Sequence, residues 1–184
     1  TVSINVSPVQ LNHPNFIETI KSAIENADIN PCQVILEITE TAIMNSVEQT
    51  VDLLKRIKDC GVQLAIDDFG TGYSSLNYLK KLPLDKLKID RSFVVDMLDG
   101  KQNRMIVDAI IQLSHRLEMQ VVAEGTETLE QAQYLKQQGC NAVQGNYYSP
   151  PVPENEFALL LQGCASDPNA SGVLQRNDRA ATPS

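Results

Sequence analysis

The 184 residues are 42% hydrophobic and 21% charged, enough to bury one sizeable core. Twenty-three acidic against 15 basic residues leave a net charge of −8, which argues against a nonspecific grip on DNA or RNA. No apolar run approaches the roughly 20 residues of a membrane span, no signal-like segment precedes Thr1, and Cys32, Cys60, Cys140 and Cys164 form no C-x-x-C pair, so the expectation is a cytoplasmic chain with buried free thiols.

The chain opens inside a β-branched run, TVSINV, and reads as a fragment that starts within a folded element, with a first strand at Ser3 to Val6. Phe16, Ile20, Ala23, Ile24 and Ala27 then recur at helical spacing, and a second aliphatic strand follows at Val34 to Ile38. Val47, Val51, Leu54 and Ile57 mark the next helix. Gly61 stands where that helix hands over to a strand at Gln63 to Ile66, a position that favours a left-handed residue. A fourth strand at Lys86 to Ile89, a helix carrying Ile106, Ile110 and Leu113, and a fifth strand at Gln120 to Ala123 come next. Gly139 precedes the sixth strand at Ala142 to Val143. Beyond Gln162 the composition turns small, polar and unpatterned, so the domain is expected to span 1–162 and a disordered tail 163–184.

Short aliphatic strands alternating with amphipathic helices give a parallel α/β fold, either a doubly wound open sheet or a (β/α)8 barrel. A complete barrel needs roughly 250 residues, so about six βα units are what an N-terminally truncated barrel would hold.

Polar residues fall at the strand ends: Asn5 in the first strand, Glu37 in the second, Asp67 and Asp68 after the third, Lys88 late in the fourth, Glu124 after the fifth and Gln144 after the sixth. Parallel α/β folds gather these ends on one face, where sites are built. Each residue also has an ordinary explanation: Asp68 or Thr71 as a helix cap, Glu124 and Glu127 as complements to a helix dipole. Asn5 and Glu37 lie inside apolar runs and are expected to be buried, which without partners costs several kcal/mol. A divalent cation would partner several such groups together. Oxygen ligands favour Mg²⁺ or Mn²⁺, and the adjacent aspartates suggest two ions able to activate water toward a phosphodiester. His13 and His115 adjoin no strand end. Gly70 and Gly72 follow the aspartates and suit either a plain turn or a loop that gates a ligand, the latter favoured by their place beside the carboxylates.

The runs INVSPVQL, LEITET, AIDDFGTGYSSLNYL, LKIDRSFV, VVAEGTET and VQGNYYSPP, in that order, resemble the EAL domains that hydrolyse cyclic di-GMP to linear pGpG. The resemblance implies a TIM-like barrel with one strand reversed. It implies metal ligands at Asn5, Glu37, Asp67 and Asp68, with Asp67 bridging two ions, and at Glu124, which could instead serve as general base. It further implies that Lys88 holds the attacking water or a phosphate oxygen, that Glu127 and Gln144 support the site, and that Glu40 anchors the glycine loop. Many members of the family dimerise, so a homodimer is among the expected assemblies. Thr126 stands where valine is usual and Asn146 where an aromatic is common. The segment carrying the E-A-L motif, with one metal-ligating glutamate and a substrate-facing arginine, is absent. The implied alternative is a catalytically inactive cyclic di-GMP receptor.

Overall fold

The computed structural model describes residues 1–44, 47–72 and 76–165. Six parallel strands, β1 (Val2–Val6), β2 (Val34–Thr39), β3 (Gln63–Phe69), β4 (Lys86–Ile89), β5 (Gln120–Glu124) and β6 (Ala142–Gln144), lie side by side in sequence order. A doubly wound sheet must reverse its strand order at a switch point. The unbroken order β1 to β6 excludes that arrangement and leaves the singly wound sheet of a barrel, with β1 and β6 as its edges among the described residues. The helices are α1 (Pro8–Leu11), α2 (Phe16–Ala27), α3 (Glu40–Met44), α4 (Val47–Lys58), α5 (Leu76–Leu79), α6 (Arg91–Val95), α7 (Lys101–Arg116), α8 (Leu129–Gln137) and α9 (Glu154–Ala165). Helix α9 continues past Gln162, and residues 166–184, which hold most of the predicted tail, lie outside the described residues.

Registers fix which side chains share a face, because neighbours in a parallel ladder point the same way and successive residues alternate. One face carries Leu36, Ile38, Leu64, Ile66, Leu87, Ile89, Val121 and Ala123, all buried in the main core. The opposite face carries Asn5, Glu37, Asp67, Lys88, Glu124 and Gln144. Packing against helices thus consumes the aliphatic alternate, and the polar alternate is left to line the inside of the curve.

Helix faces follow the expected periodicity with one rotation. In α2 the buried residues are Ile17 and Ile20, whereas Ala23 and Ala27 are exposed. In α7 the core takes the expected Ile110 together with Val107, Ile111 and Ser114, while Leu113 packs against it half-buried and Ile106 is exposed. Ser114 can enter the core because its hydroxyl donates to Ile110 O at 2.8 Å, so no polar atom is stranded. Gly61 and Gly139 adopt φ of 84° and 87°, the left-handed hand-over expected at both helix ends. The cysteines depart from the reading as buried thiols: Cys32 is exposed in the turn before β2, and Cys60 and Cys140 are half-buried.

Candidate active site

The polar face is organised around Lys88. Its ammonium reaches Glu37 Oε2 at 2.5 Å, Glu124 Oε1 at 2.6 Å and Asp67 Oδ1 at 3.1 Å, and the lysine side chain is only 5% exposed. Three donors meet three carboxylates, one from each of β2, β3 and β5. Burial alone would lower the lysine pKa. The hydrogen bonds to Glu124 and Glu37, with the charge of Asp67, outweigh it and hold the ammonium above its ordinary value. Burial likewise pushes the Glu124 carboxyl above the usual range, against the opposing pull of Lys88.

Asp67 and Asp68 are part of β3 itself, where the sequence reading ends the strand at Ile66. In a regular strand they would point to opposite faces. The β3–β4 register runs Ile66 with Leu87 and then Phe69 with Ile89, so β3 carries one extra residue there, and Asp68 takes a left-handed φ of 55°. This bulge brings both aspartates to the polar face while returning Phe69 to the core. Strain at such a residue is on the order of 1–3 kcal/mol, and aspartate tolerates it better than most. The Asp68 amide donates to Asp67 Oδ1 at 3.0 Å. Burial, then the negative charges of Asp67 and Asp90, raise the Asp68 carboxyl above its ordinary value.

Asp67, Asp68 and Glu124 bring carboxylate oxygens within 4.8 Å of one another. An all-oxygen, triply anionic donor set of this size suits a hard divalent cation. Glu37 adjoins the group through Lys88. Asn5 pairs with Glu37 in the ladder but is exposed, contrary to its expected burial, because β1 is an edge strand. Gln144, opposite Glu124 at the other edge, is exposed as well.

Glu40, buried at the start of α3, accepts a hydrogen bond from the Gly70 amide at 2.9 Å. A side chain on Gly72 would place its Cβ 2.8 Å from Glu40 Oε1, and one on Gly70 would meet Phe93 at the same distance. Both glycines are therefore needed for close approach, and the loop is fastened to β2 and α3. Residues 73–75 of the predicted gating loop lie outside the described residues.

Two residues given ordinary structural explanations make other contacts as well. Helix α8 is capped by Thr128 in a capping box with Gln131, leaving Glu127 to pair with Arg91 at 2.6 Å. Thr71 Oγ1 donates back to Asp68 O at 2.8 Å and caps no helix among the described residues. Arg91 was missed by the sequence reading. Its aliphatic stem packs so closely on Gly125 that a Cβ there would lie 2.1 Å from Arg91 Cγ, and its guanidinium fixes Glu127. The signal was present, since Asp90 and Arg91 directly follow β4. Asp90 is accounted for as the N-cap of α6, accepting from the Ser92 amide at 2.9 Å.

With this geometry in hand, comparison with known proteins is decisive: the EAL domain family matches residues 1–151. The chain belongs to the EAL domain family. It is 43% identical over 152 residues to cyclic di-GMP phosphodiesterase NbdA of Pseudomonas aeruginosa, covering 83% of this chain and 19% of NbdA. The EAL domain of Mycobacterium smegmatis DcpA superposes with a TM-score of 0.83 at 43% identity, covering 88% of this chain and 72% of that one. The PaMucR phosphodiesterase in complex with c-di-GMP gives a TM-score of 0.82 at 37% identity, covering 85% and 64%. The six strands are thus an arc of the TIM-like barrel of EAL domains. The chain spans about a fifth of the length of the curated relatives it matches.

Proposed function

We propose that this EAL chain supplies the acidic face of a metal-dependent phosphodiesterase that opens cyclic di-GMP to linear pGpG. The observation that carries the reading is the convergence of Asp67, Asp68 and Glu124 within 4.8 Å, beside a buried lysine, at the strand ends of a parallel sheet. NbdA bears the name of this activity, and PaMucR was solved with the dinucleotide. Asp67, Asp68 and Glu124 hold the metal, with Glu37 and Asn5 completing its surroundings, and Mg²⁺ or Mn²⁺ as a pair fits their chemistry. Divalent ions, when bound, supply positive charge to the phosphodiester and acidify water.

The chain's own groups do the rest. Lys88 presents an ammonium to a nonbridging phosphate oxygen, and Glu124, its basicity raised by burial, takes up the proton of the attacking water. Water adds at one phosphorus, one P–O bond of the ring breaks, and the second phosphodiester stays intact. Glu40 holds the Gly70 to Gly72 loop over the site, Arg91 fixes Glu127, and Gln144 lines the rim. No helix among the described residues is long and apolar enough to cross a membrane. A cytoplasmic location and a homodimer are part of the same proposal.

The test is hydrolysis of cyclic di-GMP by the intact protein carrying this chain, with Mg²⁺ or Mn²⁺ and again with chelator. Linear dinucleotide only in the presence of metal is the expected result. Tight binding without turnover would instead make it a receptor, and no interaction at all would overturn the assignment.

A further inference from the structure

Three of the carboxylates around the site already share a cation that belongs to the chain. Lys88 places all three of its donors on Glu37, Glu124 and Asp67, at 2.5, 2.6 and 3.1 Å, in a pocket that leaves 5% of its side chain exposed. Two of those acceptors, Asp67 and Glu124, are also members of the trio whose oxygens lie within 4.8 Å of one another. One ammonium and one divalent ion therefore draw on the same two carboxylates. A positive charge introduced among Asp67, Asp68 and Glu124 repels the ammonium seated on two of them, and the low-polarity surroundings of a buried group strengthen that repulsion.

We propose that Lys88 is the resident cation of the metal-free site: it holds the carboxylates of β2, β3 and β5 together, and it is displaced from Glu124 and Asp67 when divalent ions bind. The inference rests on the divalent-metal reading of the site. Without Lys88, the carboxylates would face one another with no counter-charge, a costly state for buried acids. Whatever stabilises the metal-free arrangement is subtracted from the affinity for metal, because a ligand shifts an equilibrium only by its differential interaction with the two states. Lys88 thus weakens metal binding while making the empty site foldable. Its release on loading turns the ammonium from the carboxylates toward the open side of the face, where a phosphate oxygen would lie.

The test compares the intact protein with its Lys88→Met variant by calorimetric titration with MgCl₂ and MnCl₂, and by thermal melting with and without metal. Lys88→Met is expected to melt lower than wild type in chelator, to bind metal about fivefold or more tightly, and to show the larger metal-induced rise in Tm. Equal or weaker metal binding by a folded variant overturns the inference while leaving the metal reading intact. Absence of metal binding by wild type overturns both. Should Lys88→Met fail to fold, Lys88→Gln keeps a donor in place for the same titration. Structures of the wild-type protein with and without Mn²⁺ give an answer independent of any variant. Lys88 Nζ should move out of hydrogen-bond reach of Glu124 and Asp67 in the metal-loaded form, and retention of both contacts overturns the proposal.

Discussion

Two lysines of this chain are held by carboxylates at opposite ends of the sheet. At the N-terminal end, Lys58 meets both oxygens of Asp85 at 2.8 and 2.7 Å, and Asp85 also accepts the Leu64 amide at 2.7 Å. One cation answers one anion, each about a third exposed, and the spare lone pair is used by the backbone. At the C-terminal end one ammonium, 5% exposed, is shared by Glu37, Asp67 and Glu124, with Asp68 close by. The first cluster is balanced and joins α4 to β3 and the start of β4. The second carries surplus negative charge, three carboxylates on one ammonium among the described residues, and protein interiors do not keep such an excess for packing. Charge balance, more than the presence of an ion pair, separates the structural end from the chemical one.

The comparison breaks most visibly at Asp67. Asp67→Asn keeps the volume and a hydrogen-bond acceptor for the Asp68 amide but removes one of the surplus charges. Turnover of cyclic di-GMP is expected to fall by roughly a hundredfold or more, with a melting temperature close to wild type. Wild-type turnover in this variant would place Asp67 with the structural carboxylates. Next in size is Gly72→Ala, whose Cβ would press on Glu40 Oε1 at 2.8 Å and loosen the Gly70 amide bond. Glu40 is 1% exposed and cannot swing away, so a loss on the order of tenfold in kcat is expected with little change in metal affinity. A matching loss of metal affinity would show that Glu40 supports the metal rather than the loop.

Asp85→Ala tests the balanced end. It strands the Leu64 amide and unpairs Lys58, at a cost of about 2 kcal/mol in unfolding free energy, while turnover per folded molecule stays unchanged. A drop in turnover with unaltered stability would reverse the roles assigned to the two clusters. Smaller again is Thr126→Val. Thr126 is fully buried beside β5 and its hydroxyl has no hydrogen-bond partner among the described residues, although its amide and carbonyl are paired with Gln144 and Tyr147. The isosteric methyl should stabilise the protein by about 1 kcal/mol in chemical denaturation.

Most of this arrangement is legible in the sequence. Each buried strand is a short aliphatic run, and each ends in the polar residue that the register later places on one face, because period 2 and parallel pairing leave no other choice. Three features were out of reach. The bulge at Asp68 is a backbone event with no side-chain signature beyond the adjacency of two aspartates, and without it alternation would have separated them. The Lys88 cage joins residues 51 positions apart in the case of Glu37, a relation that only the assembled sheet creates. The burial of Asn5 was misjudged because a run of β-branched residues reads alike at the centre and at the edge of a sheet. The face of α7 was rotated because Ser114, polar by type, spends its hydroxyl inside its own helix.

The N-terminal end of the sheet offers a last discrimination, through pH. Cys140, between α8 and β6, donates its thiol to Ala142 O at 3.1 Å, and burial pushes its pKa from the ordinary value of 9 up to about 11. The folded chain therefore keeps the proton through a range in which the unfolded chain releases it. Unfolding then loses a proton, and stability falls as pH rises from about 9 to about 11, with its full contribution present below pH 9. Cys140→Ala should flatten the alkaline limb of a plot of Tm against pH while leaving the neutral region and the metal-dependent activity untouched. An unchanged limb would assign the alkaline loss to other groups. Tyr134, whose phenol donates to Asp108 at 2.8 Å and is raised from 10 to about 12 by burial and that carboxylate, loses its contribution between about pH 10 and 12, which overlaps the upper half of the Cys140 window. Between about pH 9 and 10 the Cys140 effect stands alone, and neither effect involves the carboxylates at the opposite end of the sheet, where metal rather than protons is expected to set stability.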